Sequence, residues 1–66
     1  MTDEKAYKIL TAAFLYAIHR TGRQLNSSML AFGRDNLPDG DTTYLINDAA
    51  MHLFGKKLFE GVATPH

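Results

Sequence analysis

Cysteine is absent from the 66 residues, so neither a disulfide nor a thiolate metal site can staple the fold. The same absence suits a reducing cytoplasm. Net charge is missing as well. Seven basic and seven acidic side chains cancel, leaving no whole-molecule field to draw in nucleic acid or an anionic membrane. No long hydrophobic run occurs: the most apolar stretch, LTAAFLYAI, falls well short of the roughly 20 residues that a spanning helix needs, and acidic residues precede it. Glycine-rich loops are also lacking. Gly22, Gly33, Gly40, Gly55 and Gly61 stand alone, each at an expected element boundary, so no phosphate cradle is available. No internal repeat or low-complexity tract is visible. From these absences a cytoplasmic protein is expected, and at about 60 residues a chain buries only about 60% of the surface its unfolded form exposes. Stability gained by association is therefore expected.

The apolar residues present recur at helical spacing. In the segment 41–54, Leu45, Ile46, Ala49, Ala50 and Leu53 share one face, the pattern of a helix packed on a core. Tyr44, Met51 and Phe54, with Leu58 if the helix continues, fall on a different side. A helix apolar on two sides needs two neighbours. One hairpin supplies only one of them.

The first helix is expected over about 3–21. Thr2 or Asp3 caps it, and Asp3 and Glu4 suit the positive end of its dipole. Ala6, Tyr7, Leu10, Ala13, Phe14, Ala17 and Ile18 form the principal stripe, with Ile9 and Tyr16 on its shoulder, while Leu15 points elsewhere. Ala6, Ala13 and Ala17 are small enough to let a second backbone approach, and Ala49 and Ala50 offer a matching surface. Gly22 is the natural stop. A short helix over about 27–32 follows, capped by Asn26 or Ser27 and ended by Gly33. A strand is the alternative for this run, disfavoured because nothing strand-like exists to pair with it. The loop 33–41 contains Leu37-Pro38-Asp39-Gly40, which reads as a turn. The last helix covers about 42–54 and either ends at Gly55 or bends and continues to 60; the tail 62–66 is aperiodic.

Chemistry-bearing constellations are sparse. The oxygens of Asp35, Asn36, Asp39 and Asp41 approximate a calcium loop, but with Asp35 first the third position is Leu37 and the twelfth is Ile46, where a bidentate glutamate is needed. A turn and a helix cap explain every residue there. Asp48 and His52 stand four apart and can pair, yet zinc takes at least three protein ligands and the other histidines, His19 and His66, lie far off in sequence. No cysteine nucleophile exists, and Ser27 and Ser28 sit in a cap, so neither catalysis nor a cofactor is expected. Arg20, Arg23 and Arg34 could meet phosphates in a helix-turn-helix, but the candidate reading helices begin Asn-Ser-Ser or Asp-Thr-Thr with acidic neighbours, on a chain of zero net charge.

What remains is protein association. The expected fold is all-α: a helical hairpin of two long helices with a short intervening helix, paired into a four-helix-bundle-like homodimer. The expected function is to bind a partner protein and modulate it, as inhibitor, adaptor or regulatory subunit, through Tyr44, Met51, Phe54, Leu58, Tyr16 and Ile9. A DNA-binding transcriptional regulator is the alternative, and a metal-dependent activity at a subunit interface the third. Calorimetric titration with calcium is expected to show no micromolar binding; a micromolar isotherm would restore the 35–46 loop as a cation site.

Overall fold

A computed structural model describes residues 1–60 of the chain. It is all-helical: α1 (Asp3–Arg20), α2 (Ser27–Asn36) and α3 (Thr43–Phe54), with no strand among the described residues. The Met29-Leu30-Ala31-Phe32 run is therefore helix. The tail 62–66 lies outside the described residues.

Each helix begins where a side-chain oxygen can take up a free amide. Thr2 Oγ1 accepts from the Lys5 amide at 3.1 Å and Asn26 Oδ1 from that of Met29 at 2.8 Å. At α3, Asp41 Oδ1 accepts from the hydroxyl of Thr43 at 2.7 Å and from its amide at 3.0 Å. Those two bonds, the hydroxyl's first, favour the ionised carboxylate and hold the Asp41 pKa below its ordinary 3.8. A lowered folded pKa means that the contribution to stability is present above the ordinary value and lost as pH falls through the lowered one.

The helix ends depart from expectation in one place. Instead of stopping α2 at Gly33, the chain runs on to Asn36, so the loop 33–41 shrinks to 37–42. An internal glycine costs about 1 kcal/mol relative to alanine, which a closed last turn can offset. Asn36 Nδ2 donates to the Phe32 carbonyl and the Leu37 amide to the Gly33 carbonyl, both at 2.9 Å. By contrast α3 does stop at Gly55, which takes the left-handed conformation at φ +72° and donates its amide to the Met51 carbonyl at 3.0 Å. The continuation of the helix to 60 is not taken.

In the packed molecule α1 is the shared neighbour. Both α2 and α3 pack on it, while the backbones of α2 and α3 stay apart. Asp3 at the start of α1 meets His52 near the end of α3, so these two helices run antiparallel. Two small residues and one large one make the buried cluster at their contact, Ala6, Ala49 and Ile9, with Leu10, Leu37, Leu45, Ile46 and Leu53 packed around it; Ala12 and Ala50 are buried as well. The expected alanine match therefore holds for Ala6, Ala49 and Ala50, whereas Ala13 is half-buried and Ala17 exposed.

Two assignments on α1 need correcting. Its inward face is centred on Ile9, about one residue's rotation from the expected stripe, or about 100°, and leaves Tyr7 and Phe14 in solvent. Ile9, expected on a partner-binding surface, is instead the largest fully buried side chain, 2% exposed. The physical reason is that α2 and α3 straddle α1, and a helix apolar over so wide an arc offers several possible inward faces. Leu15, which the stripe left unexplained, lines the hollow between α1 and α2 together with Met29 and Leu30. Among the described residues no helix is long and apolar enough to cross a membrane.

Because Ile9 is the one large side chain fully inside among the described residues, Ile9→Ala is expected to cost about 2–5 kcal/mol. Urea unfolding followed by helical circular dichroism measures it, and a loss well under 1 kcal/mol would remove Ile9 from the centre of the core.

Candidate interaction surface

After Gly55 the chain turns back along α3, and one side chain holds it there. Asn47, buried to 2% exposure in the middle of α3, accepts at Oδ1 from the amides of Leu58 (3.1 Å) and Phe59 (2.8 Å) and donates from Nδ2 to the Phe59 carbonyl (2.9 Å). A carboxamide presents an acceptor and a donor side by side, which matches the amide and carbonyl of one extended residue. The three bonds satisfy Asn47 in a place where an unpaired amide would be costly.

This clamp sets Leu58 and Phe59 beside Phe54 as one wall of a groove. Leu10, Phe14 and Ala17 of α1 form the opposite wall and Ile46 of α3 the floor, around a volume of about 750 Å³. Phe14 is 65% exposed and Phe54 64%. Arg20 and Asp41 are the charged residues of the lining; they sit together at one end, because the end of α1 lies beside the start of α3. Arg20 carries its guanidinium 5.9 Å from the Tyr16 ring centroid, within cation–π range.

The residues read from the sequence as partner-binding are thus dispersed. Phe54, Leu58 and Tyr16 line the groove. Met51 is exposed and Tyr44 half-buried on the side of α3 turned away from Ile46 and Leu53, so they belong to a different surface. Ile9 lies beneath both, in the core. Phe14, Phe59 and Asn47 were not singled out. An amide in mid-helix next to an apolar stripe is the signal that could have marked Asn47, since such a residue must find partners for its donor and acceptor.

The polar constellations do not assemble a reactive site. His52 turns its Nε2 to Asp3 Oδ1 at 2.6 Å rather than to Asp48, tying the ends of α1 and α3 together. Among the described residues no three His, Asp or Glu side chains are grouped to hold a metal ion. Between α1 and α2 lies a smaller hollow of about 240 Å³, where His19, Arg34 and Asp39 join an apolar lining. No family model matches the sequence, and neither a curated protein nor a solved structure matches it.

If Asn47 holds the returning segment, Asn47→Ala should lower stability by about 1–3 kcal/mol. Hydrogen exchange at the Leu58 and Phe59 amides should accelerate more than at the amides in the middle of α1. Equal acceleration everywhere would mean that Asn47 supports the fold at large and not this wall.

Proposed function

We propose that the protein works by association, binding a partner protein through the groove between α1 and α3 and modulating that partner as an inhibitor, adaptor or regulatory subunit. One observation carries this reading: among the described residues Ile9 is the only large side chain fully inside, while Phe14, Phe54, Leu58 and Phe59 converge from two helices and a clamped segment onto one exposed groove. Apolar surface gathered in a concavity, bordered by a few charges, is the form in which proteins take up an apolar helix face. Aromatic side chains suit such a surface because they bury much area at little entropic cost. The association includes pairing of the chain with itself, as a four-helix-bundle-like homodimer, which would supply the burial that so thin a core lacks.

Charging the groove wall should separate binding from folding. Phe54→Asp is expected to abolish capture of the partner from the source cell while the helical circular dichroism stays within a few per cent of the parent. A collapse of helicity would instead make Phe54 a folding residue, and capture unaffected by the change would exclude this groove as the binding site.

A further inference from the structure

We infer that the occupant of the groove is α1 of a second copy of this chain, laid antiparallel about a two-fold axis level with residue 12; the inference rests on the association reading above and names its partner. The outward line on α1 is Tyr7, Leu10, Phe14 and Ala17, with Leu10 half-buried and the other three exposed, spaced three, four and three residues apart. This is the repeat that keeps a seam facing a neighbouring helix. Tyr7 and Phe14 stand 61% and 65% exposed along it.

The seam complements itself when reversed. An antiparallel copy centred at residue 12 brings Tyr7 opposite Ala17 and Leu10 opposite Phe14, so each large ring meets a smaller side chain. The same reversal carries the acidic first turn of α1, Asp3 and Glu4, toward the basic last turn, His19 and Arg20, of the other copy. It also opposes the two helix dipoles.

Seated in the groove, each α1 touches both α1 and α3 of the other copy, and the two α3 helices lie at opposite corners, which completes four helices. With no net charge on the chain, no long-range repulsion opposes the approach.

The area is of the right size. An aromatic side chain offers roughly 200 Å², so Tyr7, Phe14, Phe54 and Phe59 each leave on the order of 100 Å² to be covered. Adding Leu10, Ala17, Ile46 and Leu58 brings the face toward the about 800 Å² per partner of a standard interface.

Light scattering on the full chain is expected to give twice 7.4 kDa at tens of micromolar and to fall toward 7.4 kDa on dilution. Phe14→Glu, at an exposed position, should remain helical and scatter as a single chain. Orientation is read by cross-linking, which the cysteine-free background makes clean. Mixing Tyr7→Cys with Ala17→Cys under mild oxidation should give the mixed disulfide well above either like-with-like product. A single-chain mass at every concentration, or like-with-like products in excess, would overturn the proposal. If the chain is monomeric yet Phe54→Asp still loses its captured partner, the association reading survives and the groove belongs to a different protein. If both measurements fail, both readings fall.

Discussion

Close approach of α1 and α3 through alanine is the constraint from which the rest of this structure follows. Ala6 and Ala49 let the two backbones come together, but each contributes only a methyl group to the core. Burial stabilises in proportion to apolar area, about 25 cal/mol per Å², so a buried centre of methyl groups and one isoleucine, ringed by side chains that are only half-buried, gains little. Phe14, Phe54, Leu58 and Phe59 are left to the outside. Their exposure is thus a consequence of how the helices touch, and the groove is its visible form.

A second, polar constraint shapes that groove. Without Asn47 the chain beyond Gly55 would have no anchor on α3, since Gly55 only ends the helix and redirects the chain. The carboxamide pairs with the amide and carbonyl of Phe59 and the amide of Leu58, which sets the neighbouring side chains along the mouth of the groove. A buried, fully satisfied amide is geometrically demanding in a way that apolar packing is not, because its bonds weaken steeply when distance or angle is wrong. The polar residue inside the molecule thereby positions the apolar residues outside it. His52 and Asp3 perform a simpler task at the same end, joining the last turn of α3 to the first turn of α1.

Local features of the fold were legible in the residues and long-range ones were not. The helical state favoured for the Met29-Leu30-Ala31-Phe32 run and the candidate caps, Thr2 or Asp3 and Asn26 or Ser27, follow from short-range chemistry, in which a residue's partners lie within about four positions, while at Gly55 a halt and a continuation to 60 both stayed open. Gly33 misled because a glycine inside a helix and one at its end look alike until the following turn is seen to close. The inward face of α1 was misjudged for a related reason. Apolar residues cover most of its circumference, so periodicity narrowed the choice without making it, and two neighbouring helices instead of one took up Leu15 and Ile9 together. Of the surface, Phe54, Leu58 and Tyr16 could be picked out as apolar residues without a cover, but their union with Phe14 and Phe59 in one groove required the return of the chain on Asn47.

By itself, then, the sequence determined three helices, a pair of candidate caps for each helix start, the absence of cysteine chemistry and an excess of apolar side chains over what a small hairpin can hide. These depend on composition and on neighbours close along the chain. The tertiary structure alone decided which side of α1 turns inward, that His52 reaches Asp3 and not Asp48, and that the exposed aromatics gather into one groove. Such outcomes depend on pairs of residues far apart in the chain, such as Asn47 with Phe59 or Asp3 with His52, and are set only when packing has chosen among faces of nearly equal apolarity.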